Sequence, residues 1–197
     1  MPAQTYDEIA PHYDKTMRRL ERWFLASLRA TALGCLPEGA RLLELGAGTG
    51  LNFTFYPGGA EGVATEPSSG MLHIARQKRR PAKVHLIQSG AELLPFKNNS
   101  FDAAFATLVF CSLRRPAEAF AELRRVVKPG GTVILLEHVR PHGLLGPVFD
   151  LLNLITVPLF DDHFNRRTAT AAQLGGLSVL KVEERMMGVI NLIVCRV

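Results

Sequence analysis

Cysteine is scarce in this chain of 197 residues, with only Cys35, Cys111 and Cys195. Their number is odd and their spacing wide, so neither a disulfide framework nor a zinc knuckle is indicated, and no other ligand spacing suggests a metal. MPAQTYDE at the N-terminus has neither the basic nor the apolar segment of a signal peptide. No stretch offers about eighteen uninterrupted apolar residues, as a membrane-crossing helix requires. Repeats and low-complexity tracts are lacking too. What remains is an ordinary globular balance, 47% hydrophobic and 21% charged, in a length suited to one domain with a sizeable core. The net charge of +5 is modest. Much of it sits at expected helix ends, where cations are favoured anyway, so a nucleic-acid partner is not expected. The default is a cytoplasmic protein.

Within this background one stretch stands out, RLLELGAGTG at 41–50. Leu42, Leu43 and Leu45 form an apolar run too short for a helix and ended by glycine, the pattern of a buried strand. Gly46, Ala47, Gly48, Thr49 and Gly50 then make a turn that only small residues permit, where a ligand can approach the backbone closely. Glu66 lies twenty residues after Gly46, at the end of the next expected strand, 61–65. A carboxylate there is placed to hold a ribose diol. Two ligand classes use this plan. Dinucleotides want G-x-G-x-x-G, whereas the spacing here is G-x-G-x-G. Glu44 would repel a pyrophosphate but attract a cationic amino-acid moiety. S-adenosylmethionine has a ribose, an ammonium group and a sulfonium, and no phosphate.

The remaining elements follow from periodicity. Residues 5–32 read as helix in two pieces, with Thr5 and Glu8 as a capping box and Pro11 as the break. Tyr6, Ile9, Tyr13, Met17 and Leu20 form its apolar stripe. Arg18, Arg19, Arg22 and Arg29 read as a solvated basic side, the alternative being contact with an acidic substrate or lipid head group. After Gly50 only one or two helical turns fit before Pro57-Gly58-Gly59. Strands at 84–88, 101–106 and 132–136 alternate with helices whose inner faces carry Met71, Leu72 and Ala75, then Ala119, Phe120, Leu123 and Val126. KPGG at 128–131 supplies helix stop signals. Segments 177–186 and 189–197 read as two paired strands that finish the sheet.

This alternation demands an α/β fold: a Rossmann-like open sheet of about seven strands, mostly parallel with an antiparallel strand near the C-terminus, and helices on both faces. Ligands in such sheets sit outside the strand C-termini, so Thr107, Leu108, Cys111 and Ser112 are site candidates by position. A single domain spanning 1–197 is expected, with a helical cap at 1–35 and an apolar helix and substrate-covering segment at 140–176. In 143–160 Asp150 is the sole charge. Such a stretch alternatively reads as a surface that meets a membrane or a lipid-like substrate.

ELGAGTG at 44–50 resembles the cofactor motif of the class I S-adenosylmethionine-dependent methyltransferases. LRRVVKPGGTVILLE at 123–137 closely resembles that family's helix–KPGG–strand segment. FDAAFA at 101–106 matches its fourth strand, SGAELLPF at 89–96 its adenine-bordering segment, and YDEIAPHYD at 6–14 the N-terminal segment that folds over the cofactor in small-molecule members. Within the family the chain is similar to the type 11, ubiquinone and menaquinone biosynthesis branch. LVFCSL at 108–113, EHV at 137–139, and LFD at 159–161 followed by Asn165 add likeness to methyltransferase-like alkyl-thiol and bacterial phospholipid N-methyltransferases. The quinone-branch histidine after strand four is absent, and Cys111 stands near its place.

The resemblance implies S-adenosyl-L-methionine held by Tyr13, Glu44, Gly46, Ala47, Gly48, Gly50, Glu66, Pro67, Met71, Gly90, Ala91, Glu92, Thr107 and Leu108. It implies methyl transfer to a small apolar or amphipathic acceptor: a thiol, the amine of a lipid head group, or a quinol-like ring. Peripheral membrane contact is compatible with such acceptors. Positioning does most of the work in such a displacement, and a base is needed only where the acceptor must lose a proton. His138 and Asp161 are the catalytic candidates, with Asp162 and His163 beside the latter. The competing readings are a cofactor-binding sensor or partner subunit without catalysis, and a nicotinamide dehydrogenase.

Overall fold

The computed structural model describes residues 3–139, 147, 151 and 166–197. Strand β1 (Arg41–Leu45) lies mid-sheet: Leu42 to Leu45 are buried and only Arg41 reaches solvent. Next to it on one side come β2 (Glu61–Thr65) and then β3 (Lys83–Ile87); on the other come β4 (Phe101–Thr107) and β5 (Val127–His138). All of these neighbours pair in parallel. Two C-terminal strands complete the order β3-β2-β1-β4-β5-β7-β6, with β7 (Ile190–Arg196) antiparallel to both β5 and β6 (Ser178–Arg185). The architecture is the expected one. Because the chain moves outward from β1 to β3 and then returns beside β1 as β4, connections leave the sheet in opposite directions at that point. A crevice opens at the C-terminal ends of β1 and β4.

Neighbouring residues of a strand face opposite layers. Leu42 packs with Phe105, Ile134 and the Ala32–Leu33 end of helix α2 (Ala26–Leu33). Leu43 and Leu45 face the other way, toward Phe120 and Leu123 of α4 (Pro116–Val126) and Ala172 of α5 (Thr168–Leu174). Helix α3 (Ser69–Gln77) lays Ala75 against Ala64 and Val84. Its N-cap is Ser68, whose Oγ accepts from the Met71 N–H at 3.1 Å and donates to Asp7 Oδ1 at 2.6 Å. Replacing this fully buried serine should therefore cost more than an average cap. We expect Ser68→Ala to lower stability by about 1–2 kcal/mol, measured by urea unfolding, with an unchanged m-value.

Two expected elements differ in detail. Helix α1 (Ala3–Leu20) begins before Thr5, so Thr5 is no cap, and it runs through the exposed Pro11. Side-chain anchors on both sides of that proline, Asp7 and Asp14, hold the helix in place. The interruption comes instead at Glu21–Leu25, a π turn. Tyr13, Met17, Glu21, Leu25, Arg29 and Leu33 all face inward or are half-buried, in strict four-residue steps. On a helix of 3.6 residues per turn each such step drifts by about 40°, and the wider π turn absorbs the drift. Arg29, expected on a solvated side, is thereby drawn inside and is only 4% exposed.

The KPGG segment also differs. Val127 already pairs with Phe101, and residues 128–131 bulge out before Thr132 pairs with Ala103. Gly130 N–H donates to Val197 O at 2.8 Å, tying the bulge to the chain end. Most of the expected apolar segment at 140–176, including Asp161, Asp162, His163 and Asn165, lies outside the described residues.

Candidate functional site

The glycine turn fills the crevice mouth. Gly46, Gly48 and Gly50 all take positive φ. A Cβ on Gly48 would meet nothing within 4 Å, so the turn presents bare backbone to open space. Ala47 N–H is used by Thr65 O at 2.9 Å, and Gly48 N–H donates to Glu66 Oε2 at 2.8 Å. Glu66 Oε1 accepts from the Ser68 N–H at 2.9 Å. Each carboxylate oxygen therefore spends one acceptor site on backbone and keeps another. Burial pushes the Glu66 carboxyl up to about 7, against the pull of those two N–H groups and with Glu44 and Asp7 adding like charge.

Around this carboxylate lies a cleft open on one side. Tyr13, Gly46, Ala47, Gly48, Glu66, Pro67, Met71, Gly90, Ala91, Glu92, Thr107 and Leu108 line it. Strand order arranges these along the sheet's rim: residues 90–92 after β3, Glu66-Pro67 after β2, the glycine turn after β1, and Thr107-Leu108 at β4. Met71 approaches from α3 and Tyr13 from α1.

Helix α1 is fastened across the opening by two acids. Asp7 Oδ1 accepts from Ser68 Oγ and from the Gly70 N–H at 2.7 Å, and these bonds, Ser68 foremost, hold its carboxyl below the usual range. Asp14 accepts from Thr49 Oγ1 at 2.6 Å and pairs with Lys78 Nζ at 2.6 Å.

Two of the expected cofactor contacts, Glu44 and Gly50, stand outside the lining. Glu44 belongs to the α2 side of β1, as the two-residue strand period dictates. Its oxygens accept from Asn52 Nδ2 at 2.6 Å and Tyr56 OH at 2.5 Å, and burial raises its carboxyl despite those bonds and the nearby Arg29 charge. Gly50 gives space to the Phe53 ring, which a Cβ would meet at 2.3 Å. Cys111 is buried and does not line the cleft, whereas Ser112 does. His138 ends β5 opposite Ile190, also outside the lining.

Other lining residues were not among the expected cofactor contacts: Tyr6, Arg29, Thr49, Leu51, Val109, Leu113 and Arg114. Arg29 is the most consequential. Its guanidinium bonds Glu21 at 2.8 Å, Asn52 Oδ1 at 2.9 Å and Thr107 Oγ1 at 2.5 Å. Asn52 and Thr107 link it onward to Glu44. Glu137 is a second unforeseen participant. Fully buried, it accepts from the N–H groups of Val109 and Phe110 at 3.0–3.1 Å. It thereby fixes the wall after β4, where Leu108 takes a φ of 58°, a conformation costly for a leucine. A charged residue closing an apolar strand was the available signal. Among the described residues no group of His, Cys, Asp and Glu could hold a metal, and no helix is long and apolar enough to cross a membrane.

An open sheet with a glycine turn, an acid after the second strand and a helix across the opening has the plan of a nucleoside-binding α/β domain. Comparison with known proteins narrows this. A family model described as "Methyltransferase domain" matches residues 43–135. The chain is 37% identical over 145 residues to the demethylmenaquinone methyltransferase of Renibacterium salmoninarum, covering 71% of this chain and 59% of the relative. It is 35% identical to the demethylmenaquinone methyltransferase of Thermus thermophilus, covering 73% and 69%. It is 34% identical to the human thiol S-methyltransferase TMT1B, covering 52% and 44%. A Haloferax volcanii methyltransferase, solved with the Trm112 methyltransferase activator, superposes with a TM-score of 0.78 at 19% identity, covering 97% and 96% of the two chains. The chain belongs to the class I S-adenosylmethionine-dependent methyltransferases. It spans about three fifths of the length of the first demethylmenaquinone methyltransferases it matches.

Proposed function

We propose that the cleft binds S-adenosylmethionine and that the protein moves its methyl group to a small apolar or amphipathic acceptor, of the thiol, quinol-like or head-group amine kind. The observation that carries this reading is Glu66, a buried carboxylate oriented by the Gly48 and Ser68 N–H groups with acceptor capacity left on both oxygens. That is what a vicinal diol requires. The cofactor supplies a methyl carbon activated by the sulfonium.

The chain's own residues bind and orient. Glu66 accepts from the ribose hydroxyls, and the bare backbone at Gly48 admits the adjoining chain. Residues 90–92 and Met71 border the adenine. Arg29 and Thr107, beyond the glycine turn, face the anionic end of the amino-acid portion. Leu108, Val109, Leu113 and Tyr6 offer an apolar wall to the acceptor. Among the described residues the lining contains no histidine, which suits an acceptor that needs little help in losing a proton. A thiol fits, since nearby positive charge favours its thiolate and Arg114 lines the cleft. The demethylmenaquinone and thiol methyltransferase relatives support quinol-like and thiol acceptors.

Calorimetry with S-adenosylmethionine and with NAD, followed by an assay of S-adenosylhomocysteine release across alkyl thiols, quinols and ethanolamine lipids, tests this reading. The expected result is micromolar binding of the first compound, none of the second, and product with one acceptor class. Binding of NAD at equal affinity would overturn it. Tight binding without product from any acceptor class would favour a sensor or partner subunit.

A further inference from the structure

The π turn has a second effect, on the outer surface. On a regular helix Phe24 would follow Tyr13 and Met17 inward; the wider turn gives that place to Leu25, fully buried, and swings Trp23 and Phe24 outward. Trp23 is 71% exposed, Phe24 49% and Leu20 36%. A tryptophan so exposed on a helix is unusual, since large aromatics ordinarily bury most of their area. Beside these three run Lys15, Arg18, Arg19 and Arg22, spaced i, i+3, i+4 and i+7 and all exposed. The Arg22 guanidinium stands 5.8 Å from the Trp23 ring centroid.

Among the described residues no acid pairs with these four cations. Asp14 is committed to Lys78 and Thr49, and Glu21 to Arg29. The result is four cations around a protruding aromatic and aliphatic ridge. That combination suits a surface that is negative at its boundary and apolar a few ångströms below, where amphipathic aromatics settle at head-group depth and arginines bind phosphates.

We propose that the outer face of 15–24 docks on an anionic phospholipid surface, with Trp23, Phe24 and Leu20 entering the head-group layer and the four cations meeting lipid phosphates. An acidic protein would satisfy the cations but gives no reason for a ridge of three protruding apolar side chains without a groove. The inference is independent of which molecule fills the cleft, although the same helix carries Tyr6 and Tyr13 on its cleft side.

Trp23 is the chain's single tryptophan, so its emission reports on this face alone. Vesicles of phosphatidylcholine with phosphatidylglycerol should shift it to the blue, and phosphatidylcholine alone should not. Raising salt to about 1 M, where screening acts within about 3 Å, should reverse the shift. The triple variant Arg18→Gln, Arg19→Gln, Arg22→Gln should weaken partitioning by roughly a hundredfold, about fivefold per charge, while calorimetric S-adenosylmethionine binding and circular dichroism stay as in the wild type. Phe24→Gln should weaken it further without altering the salt dependence. The proposal is overturned by an unchanged emission with anionic vesicles, by an equal shift with neutral ones, or by a triple variant that partitions like the wild type. A larger shift with polyglutamate than with anionic vesicles would also overturn it, in favour of an acidic protein partner.

Discussion

Glu66→Gln should weaken S-adenosylmethionine binding by about a hundredfold, the loss expected when hydroxyl donors face a neutral amide instead of a carboxylate. Glutamine is the informative replacement. It keeps an acceptor for one of the two backbone N–H groups, whereas alanine would leave both the Gly48 and the Ser68 N–H without their partner. The effect should also depend on pH. Burial holds the wild-type carboxyl at about 7, above its usual 4.5. Ribose hydroxyls donate to the ionised form, so wild-type affinity should rise as pH is raised through 7, by up to tenfold per unit below it. The variant should bind weakly and without that slope. Stability of the unliganded protein carries the opposite sign: a raised folded-state value stabilises fully below 4.5, and that contribution is lost as pH rises through 7. Titration calorimetry from pH 5.5 to 8.5 reads the first effect and thermal melts over the same range the second. A flat wild-type profile would remove Glu66 from the ribose.

Arg29→Met should be the most damaging single change in the polar interior. The Arg29–Glu21 pair is nearly enclosed, at 5% and 14% side-chain exposure. Removing one partner of such a pair strands the other charge, at a cost of about 3–5 kcal/mol. The variant alone would not separate a structural role from a binding one. Arg29→Met with Glu21→Leu should recover most of the stability, because an apolar pair of similar volume replaces a buried ionic one. It should not recover cofactor affinity, since the guanidinium beside Thr107 is still missing. Urea unfolding paired with calorimetry on both variants checks this. Restored binding in the double variant would confine Arg29 to holding the helices together.

What the sequence made legible was local. The glycine turn, its distance to Glu66 and the two-residue alternation of the strands each follow from neighbouring residues, and they brought most of the expected lining residues to one rim. Glu44 shows the limit of that reasoning. Its charge fits the amino-acid portion of the cofactor, but strand alternation turns it to the layer that holds Asn52 and Tyr56. Arg29 was hidden for a different reason. Its burial depends on an i→i+5 turn eight residues earlier, chosen by packing of the whole helix against the sheet rather than by local propensity. Glu137 reaches the site from β5, across 28 residues of sequence to Val109, a distance no periodicity spans. The bulge at KPGG likewise rests on contacts with the chain's last strand.

The fastening of α1 bears on how molecules come and go. Among its described residues only Ala10 is fully buried, so its anchors are chiefly Asp7, on Ser68 and Gly70 at the start of α3, and Asp14, on Thr49 of the glycine turn and on Lys78. Two short polar latches give way more readily than a greasy interface. Cofactor exchange can then proceed by peeling back this single helix while the strands beneath keep their register, leaving the Glu66 carboxylate still oriented by its two backbone partners.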